Sequence, residues 1–130
     1  MTDSPAAPAS LRWRAPVGVL FITTGILHFT SPEAFEAIIP PVLPAPRALV
    51  FASGIAELAG GIGILNRRWA KRAGWWLIAT LVAIFPANVG MALAAERFPQ
   101  FPEWALWARL PLQALLIALV WQAAGRPRRF

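Results

Sequence analysis

Five polar side chains that could do chemistry interrupt otherwise apolar sequence: His28, Glu57, Asn88, Arg109 and Gln113. Glu57 can exchange a proton, and His28 is the one side chain type that titrates unaided near neutral pH. Arg109 can pair with a carboxylate or clamp an oxygen-rich headgroup, while the amides of Asn88 and Gln113 both donate and accept. Each sits among hydrocarbon residues, where burial is costly, so intramembrane ionisable groups are candidates for a ligand or proton pocket. The competing reading is structural: a buried Glu57–Arg109 ion pair, with His28, Asn88 and Gln113 as its hydrogen-bonding shell, fixing helix order without binding anything.

Other chemistry is excluded by what the chain lacks. There is no Cys, which removes thiol redox reactions, disulfides and thiolate metal sites. A single His with two Met offers no pair of imidazoles to a haem, so no metal site is expected. Glycine-rich phosphate loops and the nucleophile elbow are also missing.

The elements that must position these residues follow from composition. Of 130 residues, 58% are hydrophobic and 14% charged, a membrane composition rather than a soluble one. Four apolar stretches, at about 15–31, 48–65, 73–95 and 104–124, each approach the roughly 20 residues needed to cross the bilayer core. Segments such as "VGVLFITTGIL" and "LLIALVW" are apolar all round, without the polar stripe of a soluble bundle helix. The expected fold is therefore all-α, an integral membrane four-helix bundle forming one domain over residues 12–125. A polar, Pro-, Ala- and Ser-rich tail over 1–11 is expected to be disordered and cytoplasmic, and a basic cytoplasmic tail covers 126–130. The first span follows a basic pair and so looks like a secretory leader, but no small-residue cleavage site follows it, and it is read as a retained helix.

The net charge of +6 is distributed by loop. Arg12 and Arg14 precede the first span, Arg67, Arg68, Lys71 and Arg72 fill the second connection, and Arg126, Arg128 and Arg129 follow the fourth span. The other connections carry only Arg47 and Arg97, beside Glu33, Glu36, Glu96 and Glu103. By the positive-inside rule both termini face the cytoplasm. The same placement argues against nucleic acid as a partner, since no basic residues alternate with aromatics on a polar surface.

Helical spacing turns the polar residues inward, and their depths along the four helices are expected to bring all five together in the outer half of the bundle. Ser53, Glu57 and Gly61 share a face, beside a stripe of Ala52, Ala56 and Gly60 that invites close helix approach. Thr24, Gly25 and His28 group likewise, and Gln113 lies one turn from Arg109, level with Glu57. Pro86 and Pro111 each remove a backbone donor and are read as structural kinks, tolerated where a neighbour satisfies the freed carbonyl. The seven Trp fall near span ends and read as interfacial anchors. The first outer connection, "SPEAFEAIIPPVLPAPR", is stiffened by five prolines yet carries Phe35, Ile38, Ile39, Val42 and Leu43, so it lies on the membrane interface or caps the bundle.

The motifs "GILHFTSPEAFEAIIPPVLPAP", "SGIAELAGGIGIL", "AIFPANVGMAL" and "RLPLQALLIALVW", in this order, resemble the DoxX-like family of small four-helix bacterial membrane proteins. The resemblance covers nearly the whole chain after its N-terminal tail. It implies a multi-pass protein of the bacterial inner membrane with a buried acid on the second span, matched by Glu57. Pro and Asn on the third are matched by Pro86 and Asn88, and His28 and the Arg109 to Gln113 segment fit the same subgroup. Some members are associated with membrane redox systems, including subunits of thiosulfate:quinone oxidoreductase and proteins of methylamine utilisation; more distant ones look like assembly or trafficking factors. The absence of Cys sets this chain apart from thiol-linked members.

The function expected is an accessory or ligand-binding subunit of a membrane redox or assembly system, meeting the lipid bilayer, a redox partner protein and a quinone or other lipophilic molecule. Two alternatives stay open: an autonomous quinone-linked oxidoreductase, in which Glu57 and His28 handle protons while Arg109 orients the ligand, and a small-solute transporter. Oligomeric state is not readable.

Overall fold

The computed structural model describes residues 9–39 and 43–124, and these are helical with turns and no strand. Four long helices are joined by short connections: α1 (Ala9–Thr30), α3 (Pro46–Leu65), α4 (Ala70–Leu93) and α5 (Glu103–Ala124), with the one-turn α2 (Pro32–Glu36) between the first two. A short 3-10 turn at Ala95–Arg97 follows α4. Helix α1 begins at Ala9, ahead of the apolar stretch that starts near 15, so its first turns carry Arg12 and Arg14. The rest of the N-terminal tail, Val42 and the basic C-terminal tail lie outside the described residues.

The long helices form a ring in which α1 packs on α3, α3 on α4, α4 on α5 and α5 back on α1. Neighbours run antiparallel. Glycines set the closest contact, between α1 and α3: a Cβ on Gly61 would stand 3.1 Å from the Gly18 carbonyl oxygen, and one on Gly25 3.0 Å from that of Gly54. Two glycine pairs, each two turns apart on its helix, thus let these backbones approach as small residues do between membrane helices. The face of α3 turned to α1 is Gly54, Glu57 and Gly61, one residue off the expected Ser53, Glu57 and Gly61. Gly60 instead accommodates Leu77 of α4, while Ala52 is exposed.

Three helices, α3, α4 and α5, are long and apolar enough to cross a membrane by length and composition. Their outward faces are hydrocarbon: Ile55, Ile62, Trp75, Val82, Leu93, Leu112 and Leu115 are all more than half exposed. An aqueous protein would not leave so much large apolar surface uncovered, whereas for a bilayer it is the solvated face. All seven Trp are exposed. Both α4 and α5 continue as helices through Pro86 and Pro111, whose rings face outward.

The interior is divided along its length. Val17, Phe21, Ile64, Leu77, Leu81, Val120 and Ala123 form an apolar core in the half that carries Arg12, Arg67 and Arg72, here called the basic end. At the opposite, capped end Met91, Ala92 and Leu106 pack with Ile38, Phe98 and Leu110. The buried polar residues lie between these two clusters. Phe21 and His28, Ile64 and Glu57, Leu81 and Asn88, and Val120 and Gln113 are each seven positions, or about two turns, apart. One heptad step along the inward face of every long helix therefore leads from hydrocarbon to a polar group.

Candidate functional site: a buried acid and imidazole under a helical cap

His28, Glu57, Asn88 and Gln113 are the buried polar or charged residues among those described, each less than a tenth exposed. Arg109 is half-buried. They form two groups, with no hydrogen bond between the groups among the described residues.

The first lies between α1 and α3. His28 Nδ1 stands 2.6 Å from the Thr24 carbonyl oxygen and 3.2 Å from Glu57 Oε2. A carbonyl can only accept, so Nδ1 carries a proton, and that proton is already directed along α1 to Thr24. Glu57 Oε2 is consequently close to a positive or polarised ring edge without receiving a well-aligned hydrogen bond, and it is one of the fully buried side-chain atoms left without a partner. The Thr24 hydroxyl sits beside the carboxyl and donates back to the Phe21 carbonyl at 3.2 Å. A buried, incompletely satisfied carboxylate costs folding free energy, by about 1–3 kcal/mol or more for a charged group. It persists because the Gly25–Gly54 contact forces this part of α3 against α1.

The pair is covered by α2. Phe35 stacks on the His28 ring with centroids 3.9 Å apart and planes 20° from parallel. The cap is tied to the first turn of α3, where Arg47 donates from Nε to Glu36 at 2.5 Å and approaches Glu33 at 3.4 Å. Ile38, just beyond, joins the apolar cluster of α4 and α5, so the outer connection lies across the bundle end. Neither Phe35 as a ring partner nor the Arg47 tie is evident from sequence, although the apolar bulk of this connection was the signal.

The second group joins α4 to α5. Asn88 Nδ2 donates to Gln113 Oε1 at 2.8 Å, and Gln113 Nε2 donates to the Leu81 carbonyl. Because Leu81 offers only an acceptor, the orientation of both amides is fixed, which leaves Asn88 Oδ1 as a buried acceptor without a partner. Gln113 thus serves the backbone of α4 in the turn before Pro86, and meets Asn88 rather than Glu57. Arg109 donates from Nη1 to Met91 Sδ at 3.6 Å. The buried Glu57–Arg109 ion pair is therefore not formed: Glu57 faces α1, whereas Arg109 faces α4.

The donor set bears on what could bind. Between α1 and α3 the nearby donors, Thr24 Oγ1 and His28 Nδ1, are both engaged, and the unpartnered carboxylate oxygen is an acceptor. A quinone presents carbonyl acceptors and does not complement that arrangement; the N–H donors that would suit it lie away from the acid, on Arg109 and on the second N–H of the Asn88 and Gln113 amides. The described residues contain no group of three or more His, Cys, Asp or Glu side chains placed to share a metal ion.

No curated protein and no solved structure matches the chain. A family model described as "Domain of unknown function (DUF8561)" matches residues 17–124, which include all four buried polar residues, Arg109 and the cap, and the chain belongs to that family.

Proposed function

We propose that this chain is a DoxX-like protein of the bacterial inner membrane, crossing the bilayer four times with both termini cytoplasmic, and that it serves as an accessory, ligand-binding subunit beside a membrane redox or assembly partner. The membrane reading extends to α1 because α1 lies against α3 through two glycine pairs and must share its solvent. Orientation is supported by the gathering of Arg12, Arg14, Arg67, Arg68, Lys71 and Arg72 at one end.

The observation that carries the ligand-binding reading is the buried His28–Glu57 pair with its unpartnered carboxylate oxygen, held under an aromatic cap inside a bundle with a hydrocarbon surface. An ion pair kept only for stability would be expected to satisfy both carboxylate oxygens. An accessory role is favoured over a quinone-linked enzyme because Arg109, which would orient the ligand, reaches Met91 of α4 rather than the His28–Glu57 pair.

The test is extraction in mild detergent followed by mass spectrometry of retained small molecules. The wild-type chain should carry a lipophilic molecule in near-stoichiometric amount. Glu57→Gln should lose it while keeping its helical circular dichroism. A wild-type chain that retains nothing, together with a Glu57→Gln variant altered only in melting temperature, would make the pair purely structural.

A further inference from the structure

Of the buried side-chain atoms left unpartnered, Glu57 Oε2 is the one under the cap, and it indicates which class of ligand this site accepts and how it enters. We propose that Pro32–Glu36 is a displaceable lid over the His28–Glu57 pair, and that the molecule admitted beneath it is a lipophile with a hydrogen-bond-donating head, a hydroxyl or an ammonium. This rests on the reading of that pair as a binding site and goes further by naming the head chemistry and the moving part.

The head chemistry follows from Glu57 Oε2; Asn88 Oδ1 belongs to the separate α4–α5 group. Glu57 Oε2 is a buried oxygen lacking a donor, and the side chain that carries it is more than nine-tenths buried. His28 Nδ1 stands 3.2 Å from that oxygen but directs its proton to the Thr24 carbonyl, and the Thr24 hydroxyl beside the carboxyl also reaches the Phe21 carbonyl. An incoming O–H or N–H group supplies what Glu57 lacks, whereas an ether or ketone oxygen would add another acceptor next to an acceptor.

The moving part follows from burial. Glu57 Oε2 has no exposed surface, so nothing reaches it without displacement of a neighbour. Helices α1 and α3 cannot separate easily because backbone meets backbone at the glycine pairs. Helix α2, in contrast, is a single turn held by side chains alone: buried Pro32, the Phe35 stack on His28, Ile38 just beyond it, and two acids tied to one exposed arginine. Between lid and α3, Ala45 is held in the left-handed region at φ 52°, between Pro44 and Pro46, a conformation that a residue preceding proline normally avoids.

The experiment measures binding of three matched probes to the full chain in lipid nanodiscs: a long-chain alkylphenol, its methyl ether and the corresponding primary alkylammonium. The phenol or the ammonium should bind at least about tenfold more tightly than the ether, which has the same bulk but no donor. Glu57→Gln should abolish that preference while retaining its fold by circular dichroism. Arg47→Ala, which touches no buried group, should tighten apparent binding about two- to fivefold by loosening the closed state. Equal binding of ether and phenol overturns the donor assignment while leaving a pocket in place. Unchanged affinity in Arg47→Ala overturns the lid. Failure of all three probes overturns both this inference and the ligand-binding reading beneath it.

Discussion

At the scale of single residues, each buried polar group is distinguished by its neighbour more than by its identity. Gln113 bridges two helices by accepting from Asn88 and donating to the Leu81 backbone, so Gln113→Leu strands the buried Asn88 amide and strips the Leu81 carbonyl of its second partner. That substitution should destabilise the folded state by about 1–3 kcal/mol. Adding Asn88→Leu removes one of the stranded groups, so the double variant should lose clearly less than the sum of the two singles, with a coupling of about 0.5–1.5 kcal/mol by reversible denaturation in mixed micelles. Additive losses would show that the amides do not act together. For the first group, His28→Phe keeps an aromatic surface for Phe35 but removes the polar ring edge 3.2 Å from Glu57, and should cost about 1–3 kcal/mol. Pairing it with Glu57→Leu should recover part of that loss, and the denaturation midpoints of the two variants decide the matter. The residues themselves were legible in sequence because an ionisable or amide side chain in an apolar run has few reasons to be there. Their partners were not: depth along each helix can be read from spacing, but whether Glu57 turns to Arg109 or to His28 depends on which helix lies beside which.

At the scale of the helices, that neighbourhood is set largely by glycine. Gly61 faces the backbone of α1, and an added Cβ would lie 3.0 Å from the Ile22 amide nitrogen and 3.1 Å from the Gly18 carbonyl oxygen. Backbone cannot rotate out of the way as a side chain can, so Gly61→Ala should separate α1 from α3 and cost about 1–3 kcal/mol. Gly90, on the outer face of α4, has nothing within 4 Å of the same construction. Gly90→Ala should be neutral or mildly stabilising, since alanine is the better helix former by about 1 kcal/mol in a helix interior. Comparable losses at both positions would mean that close packing of α1 on α3 does not hold the bundle together. The sequence shows a small-residue stripe on α3, and Ala56 and Gly60 do meet α4, but the face turned to α1 takes Gly54 where spacing suggests Ser53, because a 100° step per residue leaves adjacent faces hard to separate until a partner chooses between them. The connection before α3 was read correctly as having apolar bulk, whereas its ties through Phe35 and Arg47 span separations that no periodicity reveals.

At the scale of the whole molecule, solvent decides what the arrangement means. In water the exposed Ile, Leu, Val and Trp side chains would drive association, while the buried acid would be an ordinary core defect. In a bilayer the same surface is satisfied by lipid, and a polar group in the interior must find its partner within the bundle. The long apolar stretches made this readable before any coordinates, since length and composition alone separate a membrane helix from a soluble one. Direction across the membrane rests on charge alone: cations collect where α3 turns into α4, and the opposite end carries Glu33, Glu36, Glu96 and Glu103. The chain has no Cys, which gives a clean background for single-cysteine labelling. With four spans, Arg68→Cys should react with a membrane-impermeant maleimide only after the cells are opened, and Gln100→Cys should react in intact cells whose outer membrane has been permeabilised. Because Arg68 and Gln100 sit in exposed connections at the two ends of α4, neither label needs to enter the bundle. The reverse pattern would invert the orientation and put the α2 lid on the cytoplasmic side. Equal labelling of both would mean that α4 does not cross the membrane, removing the hydrocarbon solvent that makes a buried Glu57 informative.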